Sequence, residues 1–518
     1  MKILNFMAGF CLVLTAACSS SQEKAENQTA TAMALVNAGD FAAARIAILS
    51  AIAERDDLPI QWLLLGHIDL ELGHAGDALY AFSRVLELEA TNGEALQLVA
   101  ELSFQLGYSR DAVNAADRML ALDPNSTRAM LVKGLVALDQ KHLPEAREYA
   151  DSILKINARD EFGIVLKARV IAAEGNHEEA AKLIEDSVPE ALRTDPSLAT
   201  LIELHRVIGD TDRTVAAVEA LIAKRPKDAD LKLDLAQILY KSGNTPRARS
   251  TLSELLVAQP DDAGVIRKIS ELWMEKDPAA LSPDQLAKIE QSGTQAMRVG
   301  VARYLIARGH SGRAAAILRP VAVGRVDVGA IEAKALYATA LLATGNVKAA
   351  RDMADLIIED DKNNADALLL RARIALQRRD LAAALNDAQI VVRDYPQNEQ
   401  ARILLADIFL GRTETQRARQ NYEAAMSDMP QSIVLAGAYT RFLLQSGDKA
   451  RAVGVGQTFT LKNPSSIEGW GLLANVCNQV GDRECVARAE AGRVKAAASY
   501  TIDQRPGSVR SRGLFGRL

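Results

Sequence analysis

A chain of 518 residues, 49% hydrophobic and 25% charged, has apolar mass enough for a folded core, and its length alone suggests about three or four globular domains. Aromatic residues make up only 4% against abundant alanine and leucine, which suits close helix packing better than sheets of aromatic and β-branched residues. A net charge of -5 offers no basic field to gather phosphate backbones, so nucleic-acid binding lacks electrostatic support.

The chain opens like an export signal. Lys2 supplies a positive charge, and Ile3 to Leu14 form an apolar run broken only by Asn5 and Gly9, too short to span a bilayer. Leu14-Thr15-Ala16-Ala17-Cys18, followed by Ser19, Ser20 and Ser21, resembles the lipobox of bacterial lipoproteins, with Thr15 where that family usually has leucine. The resemblance implies loss of residues 1–17, lipidation of Cys18 and a lipidated tether over 18–24. An ordinary secretory signal with an incidental cysteine is the alternative. Each buried methylene contributes ~0.8 kcal/mol, so several acyl chains hold a protein firmly to a bilayer. In the lipoprotein sorting pattern a residue other than Asp after the cysteine, here Ser19, implies the outer membrane; the expectation is a lipid-anchored, periplasm-facing protein. No later segment has 18 uncharged apolar residues, so no second crossing is expected.

Beyond the tether the sequence repeats itself. Gly39, Gly73 and Gly107 are spaced by 34, and the series runs on through Lys141, Gly175, Gly209 and Gly243, then Gly309, Gly345, Arg379, Thr413, Gly447 and Gly481. One helix-turn-helix unit fits each period. Five residues after these turn positions stand Ala44, Ala78, Ala112, Ala146, Ala180, Thr214, Ala248, Ala314, Ala350, Ala384, Ala418, Ala452 and Val486. Seven residues before them small residues again dominate, among them Gly66, Ala100, Gly134, Ala168 and Ala236. Two in-phase small positions, one on each helix, let paired backbones approach closely. A larger filler often follows one helical turn after the alanine, as at Ile48, Phe82, Ile184, Leu252 and Tyr422. Pro124, Pro226, Pro260, Pro396, Pro430 and Pro464 fall just after the second helix, where proline stops propagation.

Trp62, Leu65, Gly66, Ala78 and Phe82, with Trp470, Leu473 and Ala474, resemble the tetratricopeptide pattern W-x2-L-G-x2-Y, A-x3-F, P, with Asp69 at the tyrosine site. The resemblance covers about residues 25 to 495 and implies an all-α fold: an α-solenoid of about 14 tetratricopeptide-like repeats forming a superhelix. The gap from Gly243 to Gly309 holds a degenerate repeat at 263–294, where Pro278 and Pro283 bracket Leu281-Ser282 and a helix starts at Ser282. An N-terminal array at 25–262 and a C-terminal array at 295–495 flank it. Either the repeat step is altered there or the repeat is merely worn.

Little in the sequence suggests catalysis, and neither metal nor cofactor is expected. His74, His142, His177 and His310 are turn residues of separate repeats and cannot share one metal, while His67 and His205 read as partly exposed helix side chains. Cys477 and Cys485 flank Gly481-Asp482 on the two helices of the last repeat, so a disulfide there is the expectation, with two unpaired thiols as the alternative. In the tetratricopeptide family the first helix of each pair lines the concave face. The resemblance therefore puts the residue six before each turn in a groove: Arg169, Glu203, Gln237, Arg303, Arg373, Asp407, Arg441 and Asn475. Arg303, Arg373 and Arg441 offer forked donors to carboxylates or phosphates, on an acidic peptide or an anionic polysaccharide; the alternative is that they pair with neighbours such as Asp407. The tail at 496–518 is basic, with Arg505, Arg510, Arg512 and Arg517 against Asp503. The expected function is an outer-membrane-anchored scaffold that binds protein partners of an envelope assembly or export system. The alternative, suggested by likeness to the multi-repeat lipoproteins of exopolysaccharide and exosortase systems, is an accessory role in polymer synthesis or export.

Overall fold

The computed structural model describes residues 21–323 and 330–498. The signal segment, Cys18 and positions 499–518 of the basic tail lie outside the described residues. Among those described are 28 α-helices, numbered α1 to α28 in chain order, one short 3-10 turn and no strand. Thirteen of the successive helix couples pack as pairs, from α1 (Ser21–Asn37) with α2 (Phe41–Glu54) to α27 (Ile467–Val480) with α28 (Arg483–Ala498), and one couple departs from the rule.

The turn inside each regular pair is set by backbone conformation. All thirteen turn positions adopt positive φ, ten as glycine and three as Lys141 (62°), Arg379 (64°) and Thr413 (63°). Glycine reaches this left-handed region freely, whereas each of the three others bears a cost of about 1 kcal/mol. The following helix begins at once. At the opposite end of the pair, side-chain caps restart the chain: Asn92 accepts from the Ala95 N–H at 3.0 Å, Asp160 from Gly163 at 3.0 Å and Asn398 from Ala401 at 2.9 Å. Each such cap is worth about 1 kcal/mol.

Packing explains the phased small residues. The alanines five after the turn, Ala44 through Ala452, have no exposed surface. Gly66 lies against the Phe82 ring so closely that an added Cβ would stand 2.5 Å from it. Polar pairs repeat in phase as well: Lys133 reaches Asp117 at 2.5 Å, Lys167 reaches Asp151 at 2.8 Å, and Arg371 reaches Asp387 at 2.7 Å and Asp355 at 3.1 Å, always across sixteen residues.

The chain divides into two compact units, between Lys224 and Arg225. The irregular stretch shares one core with its neighbours, running from Ala236 and Leu252 through Ile266, Trp273 and Ile289 to Tyr304, Leu318 and Ala340. What is altered there is the pairing. α15 (Ala263–Lys276) packs on α17 (Gln295–Ala307) as closely as a hairpin partner would, while α16 (Pro283–Ser292) touches α17 and α18 (Ser311–Ala322) instead of pairing comparably with α15.

Asp277 fixes this departure. Its carboxylate has no exposed surface and takes both prongs of Arg249, at 2.6 and 2.7 Å, the Tyr240 hydroxyl at 2.9 Å and the Ala279 N–H at 3.0 Å. Ser282 then caps α16 reciprocally with Gln285. Burial raises the Asp277 pKa, but the Arg249, Ala279 and Tyr240 hydrogen bonds outweigh it and hold the carboxyl below the usual carboxylate range.

Candidate ligand-binding face

Within each unit successive first helices pack on one another. In residues 21–224 these are α5 (Gly93–Gln105), α7 (Thr127–Asp139), α9 (Glu161–Ala173) and α11 (Asp195–Ile208). In residues 225–498, α13 (Ala229–Lys241) meets α15, and α17 is followed in turn by α19 (Ile331–Ala343), α21 (Ala365–Gln377), α23 (Glu399–Gly411), α25 (Ile433–Gln445) and α27. Among the described residues the second helices make no comparable contact with one another apart from α16 with α18. First-helix side chains that point away from the pair therefore share one face in each unit.

The eight residues picked six before the turn all lie on these first helices. Arg169 on α9 is half-buried and donates to Thr200 Oγ1 of α11 at 3.1 Å; Glu203 on α11 and Gln237 on α13 are also half-buried. Arg303 on α17 pairs with Glu332 on α19, and Arg373 on α21 donates to Gln400 Oε1 on α23 at 3.0 Å. Arg303 and Arg373 are thus bonded to partners on the next first helix, though neither is bonded to Asp407. Asp407, Arg441 and Asn475 are exposed, and Asn475 accepts from Gln479 at 2.8 Å. Neighbouring groups strip part of the hydration from the Asp407 carboxyl, which lifts its pKa although Arg441 and Arg373 pull it back. Arg441 makes no ion pair among the described residues.

The same six-before rule also selects a residue the sequence analysis did not name. Glu101 on α5 has no exposed surface; Gln97 donates to it at 3.1 Å and Arg128 of α7 stands 3.6 Å away, its guanidinium 4.3 Å over the Phe162 ring. Burial raises the Glu101 pKa, opposed by Arg128 and Gln97. His67 of α3 (Pro59–Glu71) is partly exposed, 2.9 Å from Glu94. His205 requires a correction. It is buried rather than partly exposed, with Nε2 3.2 Å from Glu185 Oε1, because it occupies the core-facing register that Asp69 and Ser103 hold in earlier repeats.

Asp69, His74 and Asp77 come together with potential ligand atoms within 4.8 Å of one another. Arg45 already bridges them, with Nε 2.6 Å from Asp69 and Nη2 3.0 Å from Asp77. A guanidinium so placed supplies the positive charge that a cation would bring and would repel one. This also accounts for aspartate at the tyrosine site of the pattern. In the last repeat Cys477 and Cys485 form a disulfide, Cα atoms 5.7 Å apart, both buried.

One hollow stands out on the first-helix face of the second unit. It encloses about 320 Å³ between α15 and α17, with Glu332 of α19 at its edge. Its lining includes the buried Ile266 and Gly300, the half-buried Val299 and Arg303, and the exposed Asp261 and Arg267. Guanidinium, carboxylate and amide groups along this face are equipped to recognise a ligand through hydrogen bonds and charge.

Family models agree with the helix-turn-helix repeat. Tetratricopeptide repeat models match residues 100–161, 209–268, 337–399 and 369–431. The chain carries tetratricopeptide repeats. A stretch of 122 residues is 26% identical to cellulose synthase operon protein C of Xanthomonas axonopodis pv. citri, covering 21% of this chain and 8% of that protein. The match thus spans less than a tenth of that relative. Among solved structures, a tetratricopeptide repeat protein from Parabacteroides merdae is 20% identical over 48% of this chain and 98% of its own, with a TM-score of 0.37. The type IV pilus biogenesis factor PilW is 20% identical over 41% of this chain and 98% of its own, with a TM-score of 0.32. Tetratricopeptide repeats are generally non-catalytic scaffolds.

Proposed function

We propose that this chain is a lipid-anchored scaffold of the periplasmic face of the outer membrane, holding protein partners of an envelope assembly or export system against its first-helix faces. The observation that carries the reading is the packing of successive first helices, which gathers Arg373, Asp407, Arg441 and Asn475 from four consecutive repeats onto one surface. Photo-crosslinking residues placed at Asn475 and Gln237 in intact cells are expected to capture a reproducible protein, and the same residue at Tyr80, exposed on a second helix, is not. Equal capture at all three positions, or none, would count against the scaffold. Cys18→Ser is expected to release the protein from the membrane fraction; unchanged membrane association would remove the anchor from the proposal.

A second reading is favoured by the 26% match to cellulose synthase operon protein C. On it the partners belong to machinery that makes or exports an exopolysaccharide. A deletion strain is then expected to lose secreted polymer, and full retention of polymer argues against this version alone.

A further inference from the structure

The irregular repeat has a by-product that the regular ones lack. Because α16 leaves α15, α15 closes directly on α17, and Gly300 makes that approach possible, since a Cβ there would collide with the Ile266 side chain. Beside this contact lies the hollow of about 320 Å³. That volume sits at the lower limit of ligand pockets, room for one large side chain rather than a whole cofactor. Its lining is apolar at Ile266 and Val299 and charged in an uneven way. Arg303 is already neutralised by Glu332, whereas Arg267 is exposed and has no acidic partner within ion-pair distance among the described residues. Asp261 also lines the hollow and disfavours more than one added negative charge.

Resting on the protein-binding reading of this face, we propose that the hollow is the anchor point for an extended peptide segment of a partner. The segment inserts one leucine- or phenylalanine-sized side chain between Ile266 and Val299 and sets a single neighbouring carboxylate against Arg267. The pocket opens among first helices, so the peptide continues along the face that carries Arg373 and Arg441. The apolar insertion supplies most of the affinity, and the guanidinium selects the register of the acidic residue.

The test uses the full-length chain in detergent, screened against a displayed library of random linear peptides. Enriched peptides are expected to share a large apolar residue next to Asp or Glu. Synthetic copies should bind at least about tenfold more weakly to Val299→Trp, which fills the hollow, and to Arg267→Glu, which reverses the exposed charge. Arg441→Glu should change their binding less. Arg267 is a surface residue, so its variant keeps the test decisive should the tryptophan variant misfold by circular dichroism. Peptides lost with Arg441→Glu but not with Arg267→Glu would overturn the pocket while leaving the face as a binding surface. Enrichment of peptides without the shared apolar-acidic pair would also overturn it. No enrichment at all would bring down both this inference and the broader reading.

Discussion

Replacing Asp277 by alanine should loosen the irregular repeat and leave the regular ones intact. The carboxylate accepts four hydrogen bonds, two from Arg249 and one each from Tyr240 and Ala279. The Arg249 side chain is 38% exposed, so water replaces its two bonds at small cost. The Ala279 N–H and the Tyr240 hydroxyl are less able to recover a partner, and each unsatisfied group costs about 1–3 kcal/mol. A loss of about 2–6 kcal/mol follows, centred on α15 through α17. Native-state hydrogen exchange reads it peptide by peptide: protection should fall across residues 263–307 and stay unchanged across 365–462. The effect also has a defined pH window. Because the folded carboxyl lies below its usual range, its contribution is present above the unfolded pKa, ~3.9, and is lost as pH falls through the lower folded value; wild type and variant should therefore converge under strongly acidic conditions. Equal loss of protection along the whole chain, or none in 263–307, would refute the assignment of Asp277 as the local fastener.

Other perturbations probe the repeat chemistry. Thr413→Gly should stabilise its repeat by about 0.5–1 kcal/mol, since glycine relieves left-handed strain at some entropic cost, and an increased local exchange protection checks it. Gly66→Ala should destabilise α3 and α4 (Ala75–Leu88) by about 1–3 kcal/mol by forcing the Phe82 ring aside, visible as a lower urea midpoint for that segment. Reducing the disulfide, or Cys477→Ser with Cys485→Ser, should cost the last pair about 2.5 kcal/mol from loop closure over a separation of 8 residues, read as faster exchange in α27 and α28 alone. Glu101 has the opposite pH sign to Asp277: its pKa is raised on folding, so stability is highest below the unfolded pKa and falls as pH rises through the folded value. Glu101→Gln should therefore gain protection in α5 and α7 at pH 7 and match wild type near pH 3.

The fold was legible because its signals are local and recur. A positive-φ turn every 34 residues, an alanine five later and a proline after the second helix each carry a steric reason, and Lys141, Arg379 and Thr413 could be placed by phase alone. The irregular repeat was legible in position, through Pro278, Pro283 and Ser282, but not in consequence. Whether α15 pairs with α16 or α17 depends on the buried bond between Asp277 and Arg249, 28 residues apart, which no periodicity announces. The same limit applies to the binding face. Periodicity put Arg303 and Arg373 on the first helices, yet their partners Glu332 and Gln400 come from neighbouring repeats at spacings the pattern leaves free. His205 was misjudged because polarity suggested solvent, whereas its register faces the core.

The segregation of the apolar interior into several clusters, each spanning a few adjacent helix pairs, has a mechanical corollary. Damage at one pair is felt by its immediate neighbours and fades beyond them, since few side chains are held in common further along. Tightening a few adjacent repeats then leaves remote stretches with their own rigidity, so strain at one pair is absorbed locally and not passed along the chain.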